Sequence, residues 1–440
     1  MIIKFLKTII ILSGIVILGF WILSYFTFNG TSAKLSDAEY LRLFPEVVKM
    51  VKQKYVEKVE NKKLIEGAVN GMLSSLDPHS AYLTPEFFKE MNIEISGSFG
   101  GLGIEIHMND GKLTVISPID DTPAFRAGIK TGDIIWKIDG KPTKGLNINE
   151  AVNRMRGPKG TMVTLTVIRN KVLQPLNFEL ERDIIRTVSI KSRTLEAGYA
   201  YIRIAHFQER TGEELTAALK SLNRENGGKL RGLVIDLRNN PGGLLESAAS
   251  VAGRFLESKG GKALVVYTKG RDEESRMTLT ADGKDKEPGY PIAVLINGGS
   301  ASASEIVAGA LQDHRRAVIV GTQSFGKGSV QTVFPLKGGG GLKLTTALYY
   351  TPNGRSIQAK GITPDIIVEI GEIVKSPKKK DLRIHEKDLE NHIGAGDDKT
   401  VPEVEPEPDE KVSKDKTLPD NQLARALDLL KGVQILAGKK

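Results

Sequence analysis

Between positions 297 and 331 the sequence reads NGGSASASEIVAGALQDHRRAVIVGTQSFGKGSVQ. Three serines, Ser300, Ser302 and Ser304, stand among small residues, and one lysine, Lys327, stands between two glycines. A serine and a lysine can together carry out acyl transfer. The hydroxyl is a poor nucleophile until a base takes its proton, and a lysine serves as that base only when neutral. Its ordinary pKa of about 10.4 must then fall by several units, which burial between apolar walls achieves. The flanking glycines and Phe325 suit such a dry pocket. Read alone, Ser302 and Lys327 are also compatible with a helix cap and a surface lysine. A Ser-His-Asp triad would have to recruit His206 or His314, and His314 sits in the polar run QDHRR, where a solvated side chain is expected. The six histidines show no H-E-x-x-H spacing, which argues against a zinc protease.

The flanking elements explain how such groups are presented. Residues 292–296 form an apolar strand-like run, Asn297-Gly298-Gly299 a turn, and residues 302–311 a helix with Ile306, Val307, Ala310 and Leu311 on one stripe. A serine there sits at a helix N-terminus, where the next N–H faces an attacked carbonyl. The pattern has a counterpart upstream. Residues 200–204 read as a strand, 212–222 as a helix and 232–237 as a buried strand, followed by Arg238-Asn239-Asn240-Pro241-Gly242-Gly243 and a helix from Leu244. Strand, glycine turn and helix N-terminus favour a developing negative charge. A nucleotide is disfavoured, because neither G-x-x-x-x-G-K-[ST] nor G-x-G-x-x-G occurs. Residues 318–321 add a strand, with Gly326-Lys327-Gly328 after it; the repetition argues for a layered α/β domain.

Residues 94–186 differ in character. Strand-like runs at 102–107, 112–116, 134–138 and 161–168 alternate with Gly and Asp turns, as in a compact β-rich domain. GGLGI at 100–104 opens it, and SPIDDTPAFRAGIKTGDIIWKIDG follows. This order resembles a PDZ domain. The resemblance implies that the loop around Gly101, Leu102, Gly103 and Ile104 turns N–H groups toward a peptide's terminal carboxylate while the peptide adds as a strand. Arg156 is a further candidate for contact with that peptide, or a solvated turn residue.

Length and composition bound the rest. At 440 residues the chain is expected to hold two or three domains. A mean hydropathy of −0.18 excludes a polytopic membrane protein. The net charge of +9 is spread among nearly as many acids, so nucleic acid is not an expected partner. Without cysteine there are no disulfides or thiolate metal sites. Lys4 and Lys7 precede an uncharged run over 8–28. Its length predicts an uncleaved anchor in the cytoplasmic membrane rather than a removed signal, with the rest of the chain on the extracytoplasmic, periplasmic side. Two helices are expected at 36–51 and 63–76, and His79 reads as a loop residue. After residue 370 comes an acidic, proline-rich linker at 401–408, then an amphipathic helix at 421–431 capped by Asp420. Such a helix docks on the core or on a second copy.

DLRNNPGG, NGGSASASE, SFGKGSVQ and YYTPNGRSIQAKGITPDI, with the PDZ-like insert upstream, resemble the C-terminal processing peptidases, or tail-specific proteases. The resemblance covers residues 40–370. It implies a multidomain α/β fold, a crotonase-like protease core with an inserted PDZ domain and helical terminal segments. By motif match, Ser302 is the nucleophile, Lys327 the base and Gln331 its positioner, with an oxyanion hole from the N–H of Ala303 and that of Gly242 or Gly243. The expected boundaries are 1–30 for the anchor or signal, 36–93 helical, 94–186 PDZ, 187–372 protease core, and 373–440 for the linker and terminal helix. No metal or cofactor is implied. The expected partners are proteins or peptides with accessible C-termini; a homodimer and an adaptor protein stay open. The alternative is a catalytically inactive, peptide-binding adaptor of the envelope. The glycine run at 338–341 is longer than the resemblance leads one to expect.

Overall fold

The computed structural model describes residues 36–257, 262–273, 276–281, 286–371 and 420–437. The apolar run at 8–28 and the acidic stretch at 401–408 lie outside them, and among the described residues no helix is long and apolar enough to cross a membrane.

Up to Leu76 the described chain forms two helices, Asp37–Lys54 and Asn61–Ser74. Ser36 caps the first in a reciprocal box with Glu39: the Ser36 N–H donates to Glu39 Oε2 at 2.7 Å, and the Glu39 N–H to Ser36 Oγ.

From Asp77 onward the main layer is a six-stranded sheet. Its order is Ile190–Glu196, Tyr199–Ile204, Gly232–Asp236, Ile292–Ile296, Val318–Gly321 and Ile366–Ile367; the first pair is antiparallel and the others parallel. Alternation sends Leu233, Ile235, Ile292 and Val294 into one core with the helices Thr211–Glu225, Leu245–Gly253 and Ala303–Asp313. It sends Val234, Ala293, Leu295 and Val320 to the other face, against Ala426 and Leu430 of the helix Asn421–Ala437. Both faces are covered, which is why these strands read as unbroken apolar runs. The terminal helix therefore docks on the core.

A second sheet packs beside the first core. It orders Ala81–Leu83, Gly341–Tyr350, Ala263–Gly270 and Thr278–Ala281, with Ser329–Pro335 also paired to Gly341–Tyr350 and shifted in register between Val330 and Gln331.

The β-rich insert has its own core of Leu113, Val115, Ile135, Leu165 and Val167. Its strands follow the order Ile104–Asn109, Lys112–Pro118, Ile134–Ile138, Met162–Ile168 and Leu176–Glu181, flanked by the helix Ile148–Met155. Ile104–Asn109 is an edge strand, free to receive another. A ribbon of Ser98–Gly101 with Asp183–Arg186 brings the insert's two chain ends together.

Candidate active site

Three neighbouring parallel strands deliver the site. The C-terminal ends of Gly232–Asp236, Ile292–Ile296 and Val318–Gly321 lead to the Asn239-to-Gly243 turn, to Ser302 and to Lys327. Open α/β sheets bind ligands at such strand ends.

The three serines are not equivalent. Ser300 and Ser304 are fully buried and their hydroxyls are engaged, Ser300 Oγ donating to the Leu237 carbonyl at 2.8 Å and Ser304 Oγ to the Asn240 carbonyl at 2.9 Å. Ser302 is half-buried, at the head of Ala303–Asp313, with a left-handed φ of 56°. A residue with a side chain holds that strained conformation only where its surroundings impose it. Gly242 lies against it: a Cβ there would come within 2.7 Å of Ser302 Cβ. No larger residue fits.

Glu305 supplies much of the constraint. Its buried carboxylate accepts Ser324 Oγ at 2.6 Å and the Gly326 N–H at 2.7 Å on one oxygen, and the N–H groups of Ser302 and Lys327 at 2.8 and 2.9 Å on the other. Burial pushes this carboxyl above its ordinary range, opposed by these four donors. Sequence reasoning missed Glu305, although Ser302-Ala-Ser-Glu305 carries the spacing of a capping box.

Lys327 is half-buried, and desolvation, then the charge of Lys343, holds its ammonium below the ordinary lysine range, with Glu305 opposing. Among the described residues that ammonium forms no hydrogen bond or ion pair. The glycine beside it has a packing reason, since a Cβ on Gly328 would lie 2.3 Å from the Gln358 nitrogen. The expected role of Phe325 needs correcting: its ring is 63% exposed, so it does not wall a dry pocket. Tyr349, also missed, is almost fully buried; its phenol donates to the Lys327 carbonyl, and burial pushes it far above the ordinary tyrosine range, with the nearby Ser302 hydroxyl opposing.

Gln331 does not meet Lys327 here. Its amide donates to Ser329 Oγ at 2.9 Å and Thr345 Oγ1 at 3.3 Å, because the register shift beside it sets its direction. The Thr345 hydroxyl in turn donates to Asp77 Oδ1 at 3.1 Å. His79, whose backbone N–H donates to that carboxylate at 2.8 Å, has its pKa lowered by burial and then by the charge of Lys327.

Among the backbone donors, the Gly242 N–H is held by Asn240 Oδ1 at 2.9 Å. The N–H groups of Ala303 and Gly243 have no partner among the described residues. The rival His314 is committed to the Leu264 carbonyl at 2.7 Å.

In the insert, Phe99, Gly101, Leu102, Gly103, Ile104, Ile106, Val152, Met155 and Arg156 line a cavity of about 110 Å³. The N–H groups of Leu102 and Gly103 donate to nothing among the described residues, as a carboxylate cradle requires. Arg156 borders this cavity, but its guanidinium is committed to both oxygens of Glu90, at 2.7 and 2.6 Å, and lies 4.4 Å from the Phe99 ring centre.

The Peptidase family S41 model matches residues 198–368, a PDZ domain model residues 100–180, and the activating protease CtpB N-terminal domain model residues 27–86. The chain is 50% identical over 364 residues to a carboxy-terminal-processing protease of Bartonella bacilliformis, covering 82% of each. It is 37% identical over 347 residues to the carboxy-terminal processing protease CtpA of Bacillus subtilis, covering 79% of this chain and 72% of that one. It is also similar to the solved photosystem II D1 C-terminal processing protease, at 28% identity and a TM-score of 0.42, covering 74% of this chain and 86% of that one. The chain belongs to the carboxy-terminal-processing proteases, serine-type hydrolases of peptidase family S41 with a PDZ domain.

Proposed function

We propose that this protein is an extracytoplasmic endopeptidase, anchored by residues 8–28, that takes protein C-termini in its PDZ cleft and cleaves with a Ser302–Lys327 dyad on a crotonase-like core. One observation carries the assignment of the nucleophile: of three clustered serines, only Ser302 is part-exposed and has a hydroxyl that is not given to a backbone carbonyl.

Neutral Lys327 takes the Ser302 proton as Oγ bonds to the scissile carbonyl carbon. The oxyanion is received by the N–H groups of Ala303 and Gly243, because that of Gly242 is tied to Asn240. Lys327 then gives the proton to the leaving amine as the C–N bond breaks, and water releases the acyl group from Ser302. Attack requires the Ser302 hydroxyl to turn to Lys327, and Gln331 to turn from Thr345 if it is to steady the lysine. Nothing in the site favours the inactive-adaptor alternative.

The test uses enzyme lacking residues 1–35 on an unfolded substrate. Ser302→Ala and Lys327→Ala should each lower kcat by about 10⁴-fold or more. Cleavage persisting in both would defeat the dyad. Amidating the substrate C-terminus should raise KM; an unchanged KM would remove the PDZ cleft from selection.

A further inference from the structure

The terminal helix Asn421–Ala437 does more than cover the sheet. Its first turn holds the side chain from which the Asn239-to-Gly243 turn departs. Asp420 accepts both ends of the Arg238 guanidinium, Nη1 to Oδ1 at 2.9 Å and Nη2 to Oδ2 at 2.6 Å. Gln422, fully buried, accepts from Arg238 Nη1 at 2.9 Å and donates to the Val368 carbonyl at 2.7 Å. The other side of Arg238 is bound to the buried Asp236, through Nε to Oδ1 at 3.0 Å and Nη2 to Oδ2 at 2.7 Å. One guanidinium thus links the end of a central strand to an element about 180 residues further along the chain, with planar two-point geometry on both sides.

The next residues are the site itself. Asn239 has a left-handed φ of 55°; its N–H donates to Asn297 Oδ1 at 2.9 Å, and Asn297 Nδ2 returns a bond to Asn239 Oδ1 at 3.0 Å. The Asn240 carbonyl accepts the Ala301 N–H at 3.0 Å and Ser304 Oγ at 2.9 Å. The turn that carries the Gly243 N–H thus starts at Arg238 and is tied by these bonds to the residues on either side of Ser302.

We propose that Asp420 and Gln422 are positioning residues for the reaction, and that the docked terminal helix sets the oxyanion turn through Arg238. The inference rests on the dyad reading above. An undocked helix would leave Arg238 bound to Asp236 alone and the turn freer to move, so the helix makes oxyanion stabilisation conditional on its own docking.

The experiment uses the chain from residue 36 to its end. Asp420→Ala should lower kcat by about tenfold to a hundredfold with KM within twofold, because misplacing a catalytic group by about 1 Å can cost about a hundredfold. Affinity for a peptide boronate, which needs the same donors, should fall in parallel. Asp420→Glu should recover part of both. A structural role alone would lower the melting temperature without a selective loss of kcat below it. Unchanged kcat and boronate affinity in Asp420→Ala, or losses that Asp420→Glu fails to relieve, would overturn the proposal. Amide exchange separates this from the dyad reading: in a Ser302→Ala background, Asp420→Ala should still speed exchange over residues 239–244. Unaltered exchange there defeats the helix coupling even if the dyad stands, whereas faster exchange in an enzyme whose cleavage survives Ser302→Ala defeats the dyad alone.

Discussion

Glu305 Oε2 accepts the backbone N–H of Lys327 at 2.9 Å and, on the same atom, that of Ser302 at 2.8 Å. One buried anion therefore sets the spacing between the proposed nucleophile and the proposed base, which belong to loops after neighbouring strands.

Replacing Glu305 should expose that dependence. Glu305→Ala leaves four donors without an acceptor in a dry site and should destabilise the fold by about 3–5 kcal/mol, as broken buried charge networks do. Glu305→Gln retains one acceptor oxygen and should cost less, while still lowering kcat by tenfold or more because two donors then face an amide NH₂. Urea unfolding and steady-state kinetics check both, and a Glu305→Gln enzyme with wild-type kcat would show that the anion does not space the dyad.

The Tyr349 phenol lies near enough to the Ser302 hydroxyl to be influenced by it, so Tyr349→Phe should loosen that hydroxyl. The expected result is faster acylation of Ser302 by a small fluorophosphonate, with a stability loss of about 1 kcal/mol for the bond to the Lys327 carbonyl. Slower acylation would assign Tyr349 to holding the lysine loop instead.

These residues show what was legible in the sequence. The parallel strands at 232–236, 292–296 and 318–321 were readable because burial on both faces leaves unbroken apolar runs. Ser302, Lys327 and the glycine turn could be read from local motifs. The antiparallel sheet was less legible: Ser329–Pro335 and Ala263–Gly270 mix polar and apolar residues without clean alternation. Gln331 was placed by motif, yet its direction depends on a register shift that no local pattern announces. Asp77 and Thr345 meet across 268 residues, and the link between Asp420 and Arg238 is similarly remote. Contacts of that range arise from topology rather than from spacing along the chain.

The pH profile should follow Lys327. Desolvation and the Lys343 charge both disfavour its protonated form, so activity rises with pH through its lowered pKa. Lys343→Gln removes a repelling charge while Glu305 and His79 remain. The pKa of Lys327 then rises, and the acidic limb of kcat/KM moves to higher pH. Activity should fall at neutral pH and converge with wild type in alkali. An acidic limb that stays in place would mean that another group controls it.

Asp77 gives the opposite sign in stability. Burial opposes its ionised form, but hydrogen bonds from Ser80 Oγ, the His79 and Ser80 N–H groups and Thr345 outweigh that and hold its pKa at about 2, below the ordinary 3.8. A carboxyl depressed on folding contributes stability that is complete above its unfolded pKa and lost as pH falls through the folded one. Wild type should therefore lose stability from just below pH 4 toward pH 2, and Asp77→Asn should be less stable at neutral pH but lose less over that interval. Because Asp77 also holds the Thr345 hydroxyl that receives the Gln331 amide, the same substitution should change kcat more than KM. Acid unfolding curves that differ by a constant offset would remove Asp77 as the titrating group, and an unchanged kcat would separate its turn from the placement of Gln331.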